Sequence, residues 1–262
     1  MTNGRGEGPR LVFCRREEKY KLNEGQYAAF MAAAGPFLED EGYGLCRVAN
    51  LYFDTEDFWL ARTSIEKPDY KEKLRLRTYG QGEAGPAFLE LKKKSGHTVY
   101  KRRLVLDAAR ARRFLADGTL PERDEQILKE IRYVLWYYRP VPKAYLAYDR
   151  QAFIGRRDPE LRITFDQNLR RRWDTLSFTD AGSLPVFPTG QARIYLMEIK
   201  APGALPLWLA HLLAELGLYP TSFSKYGSVY KMDMAQNVAE RAGRAAALAG
   251  RTGEGAELCL QV

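Results

Sequence analysis

Basic and apolar residues alternate in the stretch 71–77, which reads Lys-Glu-Lys-Leu-Arg-Leu-Arg. In a β-strand, side chains two residues apart lie on the same face. A strand here would carry its four cations on one face and turn its leucines to the other. Arg presents a planar pair of N–H groups that matches phosphate oxygens, and Lys presents a compact charge. The spacing of Lys73, Arg75 and Arg77 therefore predicts a strand face that can bind phosphate.

The same alternation of charged and apolar residues occurs in five other stretches. One charged face is typical of any antiparallel sheet with one side in water. Ordinary solvent faces mix Ser, Thr and Gln with both signs of charge, whereas these faces are cationic with a few regularly placed carboxylates. They carry Glu17 and Lys19; Glu90, Lys92 and Lys94; Lys101 and Arg103; Arg162, Thr164 and Asp166; and Glu198 and Lys200. Six such strands together favour one shared cationic surface.

The elements that position these side chains are mostly strands, with helices between groups of strands. Strands are predicted at 11–20, 47–53, 71–79, 87–94, 99–106, 143–148, 161–165 and 195–201. Helices are predicted at 23–34, 107–118, 121–138 and 207–216 and from near Ser222 onward, and 175–192 is predicted as a long loop. Asn23 and Asp107 are the expected N-caps, and Gly118 the expected end of its helix. This order favours an α+β fold with a large antiparallel sheet.

The arrangement of the charges predicts how the sheet closes. Apolar outer faces covered by helices, and charged inner faces, indicate a closed antiparallel β-barrel, a tunnel whose lumen is lined with Lys and Arg. Desolvated cations in a lumen cost several kcal/mol each unless an opposite charge accompanies them. We therefore expect a polyanionic ligand. The carboxylates among the cations would suit a hard divalent metal that bridges phosphates.

Composition excludes several other classes of protein. The chain has 262 residues, of which 45% are hydrophobic and 28% charged, so it is neither a disordered nor a fibrous chain. No window approaches the roughly 18 uncharged apolar residues that a membrane-spanning helix needs. Cys14, Cys46 and Cys259 match no metal-ligand spacing, and their odd number favours reduced thiols and a cytoplasmic location. The net charge of +8 permits nucleic acid, an acidic membrane surface or polyphosphate as partner.

The organisation along the chain is simple. Residues 1–10 are Gly-rich and polar, and we expect them to be a disordered leader. Residues 11–237 form one predicted domain, and 238–262 form an Ala/Gly/Arg-rich tail. His97 and His211 have no partner motif, so a structural role is expected for both. The candidate chemistry therefore lies within one domain.

Nine short motifs occur in a specific order along the chain. They lie at 15–20, 51–55, 73–80, 89–92, 101–103, 148–150, 161–166, 197–200 and 224–226. Through these motifs the chain, over about residues 13–230, resembles the triphosphate tunnel metalloenzymes (CYTH-like), and within them the VTC-type polyphosphate polymerase domain. The resemblance implies a tunnel barrel of about eight strands. It also implies transfer of the ATP γ-phosphate onto a growing polyphosphate chain with a divalent metal, manganese or magnesium.

The same resemblance implies roles for individual residues. The positions that match the family's phosphate-binding and catalytic cations are Lys19, Arg75, Arg77, Lys92, Lys101, Arg150, Arg162, Lys200 and Lys225. Further substrate contacts are expected from Lys73, Arg103, Ser224 and Tyr226. Glu198 matches the metal ligand, with Glu17 and Glu90 as further candidates. ATP and polyphosphate are the implied partners.

The first-strand motif departs from the pattern of the related triphosphatases, and this difference bears on which activity is expected. Related triphosphatases carry Glu-x-Glu-x-Lys on the first strand, and this chain has Arg15 at the first Glu position. The loss of one metal-binding carboxylate favours the polymerase over the triphosphatase. A non-catalytic domain that binds polyphosphate, inositol phosphates or RNA is the remaining alternative. No specific nucleic acid is expected, whereas a membrane-protein partner and the oligomeric state stay open.

Overall fold

The computed structural model describes residues 15–66, 68–80, 84–96, 98–122, 125–174, 176–187 and 193–234. The predicted leader at 1–10 and the predicted tail at 238–262 lie outside the described residues. So do the first residues of the predicted strand 11–20.

Within these residues the fold is built on one sheet in which every pairing is antiparallel. Its strands are β1 (Arg15–Leu22), β2 (Leu38–Asp40), β3 (Cys46–Asp54), β4 (Tyr70–Tyr79), β5 (Ala87–Ser95), β6 (Thr98–Leu106), β7 (Val141–Gly155), β8 (Arg162–Arg172), β9 (Leu184–Pro185) and β10 (Tyr195–Pro202). The main order is β1-β10-β8-β7-β3-β4-β5-β6, with β2 paired to β7 and β9 paired to β8. The prediction of an α+β fold with a large antiparallel sheet is confirmed.

The prediction of a closed barrel is wrong. The sheet is a curled half-barrel in which β1 and β6 are the two ends of the strand order, and no pairing within the described chain joins them. Curvature nevertheless gives the sheet a concave and a convex face.

The helices lie on both faces. They are α1 (Glu24–Ala34), α2 (Trp59–Glu66), α3 (Ala108–Asp117), α4 (Gln126–Tyr138), α5 (Leu207–Glu215) and α6 at 225–234, and a short 3₁₀ turn covers Gly35–Phe37. Asn23 caps α1 through a capping box. Asp107 accepts a hydrogen bond from the backbone of Arg110, and Gly118 ends α3 with a φ of 75°. The predicted caps are confirmed. The helix α2 was not predicted, and α4 begins at Gln126 rather than at Pro121.

The convex face carries two apolar cores. One lies under α3 and α4, where Phe114 and Ile131 pack on the leucines of β3 to β6. The other lies under α1 and α5, where Phe30 and Leu209 pack on β1, β8 and β10. These helices sit outside the sheet as predicted. No described helix is long and apolar enough to cross a membrane.

A third apolar core lies on the concave face and explains why the barrel stays open. Val48, Leu146 and Leu196 of the sheet pack there with Tyr226 and Val229 of α6. The helix α2 joins them, since Ile65 lies close to Gly227. The expectation that all helices pack outside is therefore wrong. Part of the inner space is filled by helix, so the two edges of the sheet do not meet.

Candidate phosphate-binding site

The rest of the concave face is charged, and we call it the cationic groove. Residues directly opposite one another in an antiparallel sheet point to the same side. Lys73 lies opposite Lys92, Lys92 opposite Lys101, and Lys19 opposite Glu198. The cations of the groove are Lys19, Lys73, Arg75, Arg77, Lys92, Lys101, Arg103, Arg150, Arg162, Lys200 and Lys225. The predicted strands thus bring the candidate cations to one surface.

Glu90 is the centre of the first cluster in the groove. Its side chain is 2% exposed and lies within 4 Å of four cations, namely Arg75 at 2.7 Å, Lys101 at 2.8 Å, Arg103 at 2.6 Å and Arg77 at 3.8 Å. Burial would raise the pKa of Glu90, but Arg75, Arg77 and Lys101 outweigh burial and hold it well below its usual value. Both carboxylate oxygens are engaged by protein cations. Glu90, predicted as a metal candidate, is placed here as the counter-ion of β4 and β6.

Arg77 is held at the floor of the groove. Its Nε donates to Asn50 Oδ1 at 2.8 Å and its Nη2 donates to the Tyr148 hydroxyl at 3.1 Å. The neighbouring Arg75 donates to the Tyr52 hydroxyl at 3.0 Å. These partners come from β3 and β7, so the central strands orient both guanidinium groups.

Asp166 is the centre of the second cluster. Arg150 donates to both of its oxygens, at 2.6 and 2.8 Å, and Lys225 Nζ lies 2.6 Å from one of them. Burial lowers the pKa of Lys225, but the carboxylate of Asp166 outweighs it, so the pKa ends above its ordinary value. The ion pair also ties the first residue of α6 to β8. The predicted cations Arg150 and Lys225 are therefore close neighbours.

The open side of the groove, formed by β1 and β10, is less densely paired. Lys200 Nζ lies 2.9 Å from Glu198 Oε1, and Lys19 Nζ lies 3.4 Å from Glu17 Oε1. Arg162 is turned toward Glu41 at the end of the sheet and donates to both of its oxygens. Arg162 is thus paired with a carboxylate outside the sheet rather than with one of the groove's strands.

Lys73 and Lys92 are cations of the groove without an ion pair to a carboxylate in the described part of the chain. Lys73 Nζ donates to Ser224 Oγ at 2.7 Å, and Ser224 Oγ also accepts from Gly227 N at 3.2 Å. Burial, together with Lys19, Lys92, Lys71 and Arg75, lowers the pKa of Lys73 to about 7. Burial also lowers the pKa of Lys92. The groove thus holds more positive charge than its own carboxylates balance.

Tyr226 lies behind the groove rather than in it. Its side chain is buried, its hydroxyl donates to Asp54 Oδ2 at 2.7 Å, and its ring stacks on Tyr52 at 4.6 Å. Asp54 also accepts backbone N–H bonds from Leu60 and Ala61 and so caps α2. The structure places Tyr226, predicted as a substrate contact, where it holds α2 and α6 against the sheet.

A divalent metal would need carboxylates of the groove that protein cations leave available. The described residues contain no group of three His, Cys, Asp or Glu side chains that could hold a metal ion. Glu198 is held by one lysine, and Glu17 lies on the same face two positions away in register. Thr164, directly opposite Glu198, has a buried hydroxyl without a hydrogen-bond partner in the described chain. Hard oxygens of this kind fit a cation that completes its shell with phosphate oxygens.

Some residues of the groove were not predicted as site residues. Asn50, Tyr52 and Tyr148 hydrogen-bond Arg75 and Arg77, yet they lie in strands that read as core. Glu41 lies in a loop. Asp166 was noted on a charged face without a role. Strand parity alone could have placed Asn50 and Tyr52 on the cationic side.

Comparisons with solved structures found chains of similar fold. One match is a "putative adenylate cyclase" from Bacillus halodurans, with 13% identity, 81% of this chain and 94% of that chain covered, and a TM-score of 0.53. Another is a "putative adenylate cyclase" from Vibrio parahaemolyticus, with 15% identity, 84% and 98% covered, and a TM-score of 0.47. The PH1819 protein from Pyrococcus horikoshii matches with 13% identity, 83% and 99% covered, and a TM-score of 0.45. The fold is the triphosphate tunnel fold.

A comparison with protein-family models identifies the family within this fold. The VTC domain model matches residues 14–232, which is most of the chain. A search of the curated proteins found no match. The chain belongs to the VTC domain family, a triphosphate-related family of enzymes, and the resemblance described above is confirmed.

Proposed function

We propose that this protein is a metal-dependent polyphosphate polymerase that transfers the γ-phosphate of ATP onto a growing polyphosphate chain in the cationic groove. The observation that supports this proposal is the excess of inward-facing cations, above all Lys73 and Lys92, whose pKa values are lowered in the groove. A polyanion would supply the missing negative charge. Membership of the VTC domain family supports the same substrate class.

The chain's own residues would act by positioning and by charge. Phosphoryl transfer needs the attacking and leaving oxygens in line and the charge of the transferred group neutralised. Arg77 and Arg150 are rigidly hydrogen-bonded and fix the floor of the groove. Lys19, Lys101 and Arg103 have side chains 37%, 45% and 40% exposed, so they can reach a ligand. No protein nucleophile is required.

A divalent metal is the proposed cofactor, and Glu198 with Glu17 would hold it, with the Thr164 hydroxyl beside them. Such an ion would neutralise phosphate charge during transfer. Glu90 is the weakest of the predicted metal ligands because protein cations already occupy its oxygens.

The deciding experiment incubates the purified protein with ATP and manganese and resolves the products. Acid-labile chains of many phosphates together with ADP are expected, and a chelator should abolish them. Arg103→Met should reduce chain formation, whereas Arg113→Met, a matched change on the exposed side of α3, should not. Release of orthophosphate alone would establish the triphosphatase instead. Tight binding of polyphosphate without turnover would establish a binding domain.

A further inference from the structure

The outer side of α4 exposes three aromatic side chains that the core does not use. Tyr133, Trp136 and Tyr137 are 51%, 71% and 59% exposed. Trp136 and Tyr137 lie three and four residues after Tyr133, so both lie next to it on one side of the helix. The rings contact each other, with centroids 5.6 Å apart for Tyr133 and Tyr137 and 6.1 Å apart for Tyr133 and Trp136. We call these three residues the α4 aromatic surface.

The opposite side of α4 already supplies what the fold needs. Leu128, Ile131 and Val134 are fully buried and pack on the convex face of the sheet. The α4 aromatic surface is therefore additional to core packing. Tyr70 of β4 and Tyr100 of β6, 48% and 47% exposed, bring further aromatic area to the same end of the sheet. Several exposed aromatic rings at one end of the sheet are typical of a contact surface.

Two exposed arginines lie beside the α4 aromatic surface. Arg132 and Arg139 are exposed on the same helix and at its end. The acidic residue of this helix, Glu130, is neutralised by Lys93 and Arg102. Aromatic rings with polar tips beside unneutralised arginines are the side chains that settle at the headgroup level of a bilayer.

We propose that the α4 aromatic surface docks this protein on an anionic lipid bilayer. The rings would enter the interfacial region, and Arg132 and Arg139 would contact the acidic headgroups. Because α4 covers the convex face of the sheet and the cationic groove lies on the concave face, a docked molecule keeps its groove open to solvent. Docking is thus compatible with any ligand of the groove and independent of what that ligand is.

Vesicle sedimentation tests the proposal. The wild-type chain is mixed with vesicles of phosphatidylglycerol and phosphatidylcholine in equal parts, and with vesicles of phosphatidylcholine alone. Binding to the anionic vesicles is expected, with weaker binding as salt is added. The triple variant Y133S/W136S/Y137S should bind at least about tenfold more weakly, because each ring loses interfacial burial. Its circular dichroism and thermal midpoint should match those of the wild type, since these side chains are exposed.

A matched control separates this surface from general stickiness. Tyr43 and Tyr219 are 77% and 80% exposed elsewhere on the molecule, and Y43S/Y219S should bind vesicles as the wild type does. Tripolyphosphate saturating the groove should not release the protein from the vesicles. If it does, the groove binds the lipid and the proposal fails.

Three other results would overturn the proposal. One is absence of wild-type binding to anionic vesicles, and another is unchanged binding by the triple variant. The third is a wild-type dimer, seen by light scattering, that the triple variant converts to a monomer while lipid binding is absent. That result would assign the surface to a second copy of the chain.

Discussion

Lys73 Nζ of β4 donates a 2.7 Å hydrogen bond to Ser224 Oγ, immediately before α6. The bond connects the middle of β4, which carries four cations, to the helix that packs on the concave face. Lys73 keeps this neutral partner while Lys19, Lys71, Lys92 and Arg75 surround it with like charge. A protonated amine at this position is therefore unfavourable in the free protein, and an anionic ligand would favour it.

The first prediction follows from the pKa of Lys73. Burial and neighbouring cations lower it to about 7, so in the free protein at about pH 8 the amine is mostly neutral. A bound polyanion raises the pKa, and the amine takes up a proton. Calorimetric titration with tripolyphosphate in two buffers of different ionisation enthalpy should show proton uptake at about pH 8. The uptake should decrease in Lys73→Met and persist in Lys231→Met.

The lowered pKa of Lys73 also determines how the stability of the ligand-free protein changes with pH. The folded pKa of Lys73 is below its unfolded value, so between the two the unfolded chain binds more protons. The contribution of Lys73 to the free energy of unfolding therefore rises with pH from about 7 toward the ordinary lysine value. Lys73→Met should remove this rise. Equal pH slopes for the two proteins would contradict the placement of Lys73 among cations.

The second prediction concerns Glu90→Gln. Four cations would lose their shared counter-ion, and we expect a loss of about 3–5 kcal/mol in the free energy of unfolding. Because the pKa of Glu90 is depressed in the folded state, its stabilisation is present above the ordinary glutamate pKa and is lost as the pH falls below it. The variant should show a flatter acid limb in denaturant titrations.

A control and a rescue complete the Glu90 experiment. Glu130→Gln, on the outer side with Lys93 and Arg102, should cost less than Glu90→Gln, because Glu130 is 15% exposed whereas Glu90 is 2% exposed, and its partner Arg102 is 42% exposed. Tripolyphosphate should raise the thermal midpoint of Glu90→Gln more than that of the wild type, since it replaces the lost negative charge. A smaller rise would show that Glu90 does not balance a ligand-facing cluster.

The third prediction concerns Glu198→Gln. With tripolyphosphate present, manganese should raise the thermal midpoint of the wild type, and this additional rise should be lost in the variant. Tripolyphosphate alone should still stabilise Glu198→Gln, because Lys200 and Lys19 remain. Glu18→Gln, on the opposite face of β1 beside Arg16, should behave as the wild type. If manganese raised the thermal midpoint of Glu198→Gln as much as that of the wild type, Glu198 would not be a metal ligand.

The fourth prediction concerns Tyr226→Phe. The change removes the hydroxyl that donates to Asp54 and leaves a buried carboxylate with one partner fewer. We expect a loss of about 1–2 kcal/mol in the free energy of unfolding and a KM for ATP close to that of the wild type. Tyr219→Phe on the exposed surface should change neither. A raised KM for ATP with unchanged stability would instead support the prediction that Tyr226 contacts the substrate.

Alternation along single strands was enough to predict which cations share a face. Lys73, Arg75 and Arg77 lie on the concave side because side-chain direction in a strand has period two. The helix caps Asn23 and Asp107 were also predictable from the sequence, because each bonds to the backbone of a residue three positions further along the chain. Features that local backbone geometry dictates can be read directly from neighbouring residues.

The closure of the sheet and the pairing of its charges were decided by tertiary structure. Nothing local indicates that Tyr226 and Val229 return to the concave face and keep β1 apart from β6. Nothing local indicates that Glu90 serves cations from β4 and β6, or that Arg162 turns to Glu41. Such contacts join residues far apart in the chain, and their energy depends on which surfaces remain available after the core has packed. The order of residues along each strand therefore determines which face is charged. Tertiary packing determines which charges pair and whether the sheet closes.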